Sequence, residues 1–528
     1  MYPEQTSTLQ IIATEATRDP ERVVLTFLDT GETVNCAQTY QRTVQWAGAL
    51  RHAAVGAGDA VAVMMPLTVE QHFVWLGCAW IKAYETPLNT DYRGSMLASV
   101  LGTCRARVAV VANQYLERFI ELAAQLEHLK LIVVPDADEP SRQVGAIRII
   151  GRTEFFKGTT PATDLPIPSR SDICAVVFTS GTTGPSKGVI MSWGLMGTFS
   201  GSLGPLTGDR FRIYSTWPLF HNSGKFAFNE AVRRQGQVFI RQRWQTDKFW
   251  TDVRACGATV SGVLGGVSNF LWSQPERPDD ADNPLQDLLM APVLPQFREF
   301  EKRFGVTLRS AYAQSEAGMP TLCSSPLPNH RTCGRLRPGY HIKLIDALTG
   351  QEVGNDTVGE VCVKSDDPEL MFKGYLNMPE KTAEAWVDGW FKTGDGMTRD
   401  ADGNYYYADR VKDSIRRRGE NISSFEVENI VNAHPAVAES VAVAAKGEDG
   451  DGEVLIFVVR KPGQDVTPEA LTEFLIPRMP RFMVPRFIDF VDSLPKTPSN
   501  RTRKVELRER GVTATTWDRV KAGIKIAR

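Results

Sequence analysis

Residues 173–188 read Ile173-Cys174-Ala175-Val176-Val177-Phe178-Thr179-Ser180-Gly181-Thr182-Thr183-Gly184-Pro185-Ser186-Lys187-Gly188. The first six are apolar, rich in β-branched and aromatic side chains, and have the length of one buried strand. Gly181, Gly184 and Gly188 then let the backbone turn its N–H groups toward an anion. Hydroxyls of Thr179, Ser180, Thr182, Thr183 and Ser186 add donors, and Lys187 adds a mobile positive charge. A strand running straight into such a loop predicts a phosphate-holding turn on an α/β sheet. The spacing is not Gly, four residues, then Gly-Lys-Ser/Thr, which disfavours a P-loop nucleoside triphosphatase. A solvated Ser/Gly linker is the competing reading; the preceding strand and the Lys-Gly ending argue against it.

Outward from this loop the same texture recurs. Ala60–Met65, Val108–Ala112 and Leu131–Pro135 are further apolar runs separated by helix-like stretches, which predicts alternating strands and helices. After residue 340 shorter alternating strands appear, as in His341–Ile345 and Gly359–Val363, and predict a β-rich subdomain at about 335–411. Asp409-Arg410-Val411-Lys412-Asp413 follows the aromatic run Tyr405–Tyr407 and marks a boundary. The expected organisation is a large N-terminal domain, 1–411, of stacked α/β sheets plus the β-rich subdomain, and a small mobile α+β C-terminal domain, 412–528.

A chain of 528 residues is too long for one ordinary core. With 60 basic and 62 acidic residues the formal charge is -2, so neither nucleic acid nor an anionic membrane is called for as main partner. Small anions must be met by local sites. The N-terminus lacks a basic segment followed by an apolar core, and no apolar run approaches the roughly 20 residues of a membrane span. A cytoplasmic protein is expected. The eight cysteines include no Cys-x-x-Cys pair and several sit in apolar runs, which predicts buried free thiols rather than disulfides or a structural metal.

Further islands follow in order: Pro218-Leu219-Phe220-His221-Asn222-Ser223-Gly224, Tyr312-Ala313-Gln314-Ser315-Glu316, Gly334-Arg335-Leu336-Arg337-Pro338-Gly339, Gly389-Trp390-Phe391-Lys392-Thr393-Gly394-Asp395 and Asp409–Ile415. Together with the loop at 179–188 they resemble the adenylate-forming superfamily, in its branch of acyl-CoA synthetases and fatty-acid- or aryl-acid-CoA ligases. The resemblance implies ATP, Mg²⁺ and CoA as reactants. A carboxylate attacks the α-phosphate of ATP, pyrophosphate leaves, and a thiol displaces AMP from the acyl adenylate. Because an anion meets a polyanion, the protein's work is positioning and charge neutralisation.

The resemblance also assigns roles. Thr179, Ser180, Gly181, Thr182, Thr183, Gly184 and Lys187 cover the β- and γ-phosphates. Tyr312, with Ala313 and Gln314, meets the adenine; Ser315 contacts the α-phosphate; Glu316 holds Mg²⁺, a hard cation suited to oxygen. Asp395 accepts the ribose hydroxyls and Arg410 reaches ribose or phosphate. His221 lies at the mouth of the acyl pocket as a positional and gating residue, because a carboxylate nucleophile is already deprotonated and needs no base. Asn222, Ser223, Gly224, Gly262, Gly265, Gly266 and Ala313 line that pocket, and the side chains missing at Gly262, Gly265 and Gly266 favour a bulky or elongated acid. Leu264-Gly265-Gly266-Val267-Ser268 mimics a phosphopantetheine attachment signature, but it is embedded in the adenylating region, which argues against attachment at Ser268.

One departure stands out. Where the family has Pro-Lys-Thr-x-x-Gly-Lys, this chain has Pro495-Lys496-Thr497-Pro498-Ser499-Asn500-Arg501, so arginine replaces the catalytic lysine unless Lys504 substitutes for it. Arginine keeps the charge but is planar and forked. Lys412 matches the hinge at which the small domain rotates, and Gly419 the pantetheine tunnel. Arg416, Arg417 and Arg418 meet CoA phosphates or form a solvated face. An enzyme that stops at acyl-AMP, one that passes the acyl group to a carrier protein or partner ligase, and a non-catalytic acyl-nucleotide binder are the alternatives held beside the ligase, and the assembly is expected to be a dimer.

Overall fold

The computed structural model describes all residues except 1, 3–5, 139–140, 180–185, 201, 265–266, 324–325, 347–348, 411–414, 418–419, 447–451, 497–501, 525 and 527–528, and the side chains of 410, 416, 420, 421 and 446. The chain forms two compact units. The first comprises Met1–His330, Gly334–His341 and Lys364–Phe391, the second Arg331–Cys333, Ile342–Val363 and Lys392–Arg528.

In the first unit the apolar runs become strands Ala60–Met64, Val108–Val111 and Leu131–Val134. They belong to a six-stranded sheet ordered 84–87, 60–64, 108–111, 131–134, 147–151, 142–144, parallel except for the last strand. A second sheet runs Glu32–Asn35, Val23–Phe27, Gln237–Ile240, Arg212–Ser215, Val260–Leu264, Asp287–Ala291, Thr307–Gln314, Gly318–Cys323. Its middle strands are parallel, as continuous apolar runs covered on both faces require, and the return from Thr307–Gln314 to Gly318–Cys323 is antiparallel. Helices Val69–Trp80 and Asn222–Arg233 are buried on nearly every face, so they lie inside the unit. Thr68 caps the first by accepting from the Gln71 N–H.

The second unit is β-rich at first, with strands Gly359–Ser365, Trp390–Arg399 and Asn404–Arg410, then a hairpin of Ile415–Arg417 and Glu420–Ile422. A four-stranded sheet of Val437–Lys446, Gly452–Arg460, Phe487–Phe490 and Trp517–Asp518 follows, with helices Ser424–Asn432, Pro468–Leu475 and Lys504–Arg510. Ile422, Val427, Val431, Val454, Ile456, Leu471 and Leu475 form its core. The mixed α/β class is as the sequence predicts. All eight cysteines are free; seven are buried and Cys323 is half-buried. Among the described residues no helix is long and apolar enough to cross a membrane.

Candidate active site

Strand Ile173–Thr179 pairs antiparallel with Lys187–Ser192, and Thr179 stands opposite Lys187. The loop between is therefore the tip of a two-stranded hairpin, and Thr179 and Lys187 fix its two ends. Ser180, Gly181, Thr182, Thr183 and Gly184 lie outside the described residues. The Lys187 ammonium sits 4.6 Å from the ring centroid of Tyr375, and the Tyr375 hydroxyl donates to Glu316 Oε1 at 3.1 Å. One aromatic ring thus carries a cation on its face and a buried carboxylate at its edge. Burial, and then Glu316, push the Tyr375 hydroxyl well up, so it remains a donor.

Backbone bonds hold this arrangement. Ile190 N–H donates to Gly374 O at 3.0 Å, Lys373 N–H to Ile190 O at 2.9 Å and Leu376 N–H to Gly188 O at 2.8 Å, while Phe372 N–H donates to Glu316 O at 2.8 Å. Segment 372–376 is laced to the Lys187 strand and to the turn bearing Glu316. Tyr375 is absent from the residues that sequence reasoning selected; its only local signal is the aromatic after Gly374.

Tyr312 is buried near the end of strand Thr307–Gln314, Ala313 is exposed, and Gln314 and Ser315 are half-buried. The turn 315–317 closes with Gln314 opposite Gly318. Gly318 has φ +63°, and a Cβ there would collide with Thr198 and lie 2.7 Å from the Tyr340 hydroxyl, so this turn admits little but glycine.

His221 caps helix Asn222–Arg233: its Nδ1 accepts from Ser223 N–H at 3.3 Å and lies 2.8 Å from Ser223 Oγ. Asn222 is buried, and among the described residues its Oδ1 has no hydrogen-bond partner. The argument that missing side chains leave volume is corrected at Gly262, and Gly224 is crowded too. A Cβ on Gly262 would run into the Trp217 indole, and one on Gly224 would meet the Pro218 carbonyl and, at 2.6 Å, Trp217 O. Both glycines let the 217–218 turn close on them, and Trp217 fills the space at Gly262. Gly265 and Gly266 lie outside the described residues. Ser268 is buried in helix Val267–Trp272, a poor place for a prosthetic arm.

In the second unit Asp395 is buried on strand Trp390–Arg399, directly opposite Arg410. Its N–H donates to Thr393 Oγ1 at 3.1 Å, which in turn donates to Val361 O at 2.9 Å. The Arg410 side chain, Lys412, Gly419 and Arg501 lie outside the described residues. Lys504 is engaged elsewhere: its ammonium pairs with Glu428 Oε1 at 2.7 Å and donates to Ser424 Oγ. Ser424 donates from N–H (2.7 Å) and Oγ (2.5 Å) to the buried Asp409 carboxylate. Lys504 therefore holds helix Ser424–Asn432, a structural duty that competes with the catalytic one. Lys496 likewise pairs with Glu439.

Among the described residues no group of three or more His, Cys, Asp and Glu could hold a metal. Glu316 is a single buried carboxylate, and magnesium carried on a nucleotide asks for one or two carboxylates, the remaining ligands being phosphate oxygens and water. The donor set fits that use.

The chain is similar to crotonobetaine/carnitine–CoA ligases: that of Proteus mirabilis is 28% identical over 465 residues, 85% of this chain and 88% of the relative. That of Salmonella typhimurium is 28% identical over 467 residues, with the same coverage. The structure is similar to the anthranilate CoA ligase AuaEII in complex with anthranoyl-AMP, with a TM-score of 0.84, 21% identity and 99% of each chain covered. It is also similar to ATP-bound MatB from Rhodopseudomonas palustris, with a TM-score of 0.82, 24% identity and 95% and 98% of the two chains covered. These two likenesses show the fold. The profile of the AMP-binding enzymes matches residues 12–376, and that of the AMP-binding enzyme C-terminal domain matches 426–501. Most of the chain is thereby matched, and the chain belongs to the AMP-binding enzyme family, the adenylate-forming superfamily.

Proposed function

We propose that this protein is an AMP-forming acid–thiol ligase of the acyl-CoA synthetase branch, which activates a carboxylic acid as its acyl adenylate and transfers the acyl group to CoA. The observation that carries the reading is the grouping of Lys187, Tyr375 and Glu316: a cation next to a hairpin loop and a carboxylate, brought together by backbone lacing. Lys187 neutralises charge on the leaving pyrophosphate; Ser315 orients the α-phosphate; Tyr312 stacks on adenine; Asp395 and Arg410 take the ribose. Glu316 would hold Mg²⁺, which supplies charge neutralisation at the phosphate oxygens. The acid lies by His221 to Gly224, with Trp217 as wall.

The boundary at 411/412, with Lys412 as hinge, separates an adenylating body from a domain that rotates between half-reactions. With Lys504 committed to Glu428, Arg501 is the cation proposed to steady the carboxylate and α-phosphate. A reaction fed by ATP and CoA fits the cytoplasm. The arginine at 501 also favours a second reading, in which acyl-AMP formation is the main activity and a carrier protein or partner takes the acyl group.

The test is product analysis by mass spectrometry with ATP, Mg²⁺ and a panel of bulky and elongated carboxylic acids, with and without CoA. A CoA thioester with AMP and pyrophosphate supports the ligase. Acyl-AMP accumulating despite CoA supports the second reading, and nucleotide binding without any turnover sinks both.

A further inference from the structure

Lys225, the fourth residue of helix Asn222–Arg233, is completely buried, as is Glu85 on strand Tyr84–Pro87, and the two meet at 2.6 Å. The position is costly. A cation in the first helical turn opposes the helix dipole, and desolvation penalises both partners. Burial pushes the Glu85 carboxyl up and the Lys225 ammonium down, each opposed by the other. Among the described residues Glu85 Oε1 is buried without a hydrogen-bond partner. The surroundings are apolar or neutral: His72 and Cys78 on helix Val69–Trp80 and Cys174 on strand Ile173–Thr179 are the other titratable groups that act on the pair.

Such a pair contributes little net stability compared with an apolar replacement, so its contacts point to another use. The Lys225 ammonium lies 4.2 Å from the centroid of the Trp75 ring. The Trp75 indole N–H donates to Cys174 O at 2.8 Å, and its ring packs on Trp193 at 5.6 Å. Cys174 stands on the strand that runs into the phosphate loop, and Trp193 directly follows strand Lys187–Ser192. A chain of contacts thus leads from the first turn of the helix capped by His221, through Lys225 and Trp75, to both strands of the loop hairpin.

We infer that the Lys225–Glu85 pair is a positioning device that sets the spacing between the acid-binding turn 221–224 and the phosphate-loop hairpin, and thereby the acid selectivity of the enzyme. This rests on the reading of 221–224 as acyl wall. Lys225 and Glu85 act through the helix and through Trp75, not on the reacting atoms.

The variants are Lys225→Met, Glu85→Gln and the double Lys225→Met/Glu85→Leu. Lys225→Met leaves the buried Glu85 carboxyl without its cation and Glu85→Gln leaves the buried Lys225 ammonium without its counter-charge, and each lowers the melting temperature; the double replaces the pair by apolar volume and folds as well as wild type. Calorimetry then compares AMP with benzoyl- and octanoyl-sulfamoyl adenosine as acyl-adenylate analogues. The double variant is expected to bind AMP as wild type does, to lose about tenfold in affinity for the acyl analogue that wild type prefers, and to change the ratio between the two analogues. Wild-type ratios and affinities in the double variant overturn the inference. A wild type that binds the acyl analogues no better than AMP instead overturns the acyl-wall reading, and this inference with it.

Discussion

At the scale of single residues, the contrast between Lys187 and Lys504 matters most. Both are lysines beside a loop, yet one faces an aromatic ring next to a buried carboxylate while the other is locked in a carboxylate pair. Lys504→Ala leaves Glu428 half-buried without its cation and is expected to cost about 2 kcal/mol of stability in the second unit, read as a lowered melting temperature. Arg501→Ala is expected to leave that temperature unchanged and to abolish acid-dependent pyrophosphate release; the opposite pattern would assign catalysis to Lys504. Tyr375→Phe keeps the ring over Lys187 and removes the bond to Glu316. The Mg²⁺ concentration for half-maximal pyrophosphate release should then rise about tenfold, the usual cost of losing a group that orients a metal ligand. An unmoved midpoint in the Mg²⁺ titration would leave Tyr375 with a packing role alone.

At the scale of elements, the proposed acyl wall makes Trp217, packed on Phe226 of helix Asn222–Arg233, the side chain that would set the shape open to the acid. Trp217→Ala vacates the volume beside Gly262, and relative kcat/KM across a size series of acids should shift by about tenfold or more toward bulkier members. Gly262→Val should damage activity toward every acid, because it drives the indole off its seat. These elements also show what a sequence makes legible. The strands at 60–64, 108–111 and 131–134 were readable because a continuously apolar run has one common fate in a covered parallel sheet; the apolar run at 173–179 is a strand too, but it pairs antiparallel in a two-stranded hairpin. Thr179 and Lys187 stand opposite each other at the ends of the hairpin, as a strand running into a turn predicts; the role of Glu316 came only with the family resemblance. Tyr375 and the Lys225–Glu85 pair were not readable, since their meaning comes from partners far off in the chain: 59 residues separate Tyr375 from Glu316, and 140 separate Lys225 from Glu85. The volume argument at Gly262 failed for the same reason, as a missing side chain says nothing about which neighbour claims the space.

At the scale of the whole molecule, the core records the pH at which it folds. His72 is buried, with Nδ1 on the Thr68 carbonyl at 2.8 Å, and burial lowers its pKa from 6.5 to about 4. The unfolded chain binds this proton more tightly than the folded one, so stability falls as pH drops below 6.5 and stops falling near 4. Between pH 7 and pH 5 the loss from this group is about 2 kcal/mol. Urea unfolding followed by the fluorescence of the buried Trp75, Trp80 and Trp193 should show that difference in wild type. It should be smaller by the same amount in His72→Phe, and an identical pH slope in the two proteins would exclude His72 as its source. The free cysteines have a consequence of their own. A mixed anhydride of a carboxylic acid and AMP acylates any nucleophile it meets, and a thiolate is among the best. Burial pushes the thiols of Cys36, Cys104, Cys256 and Cys362 to about 11 and that of Cys174 to about 12, and holds that of Cys78 well above the ordinary thiol range, so all six stay protonated near neutrality. A protein that manufactures an acylating agent keeps these six sulfurs in a form that does not become the product.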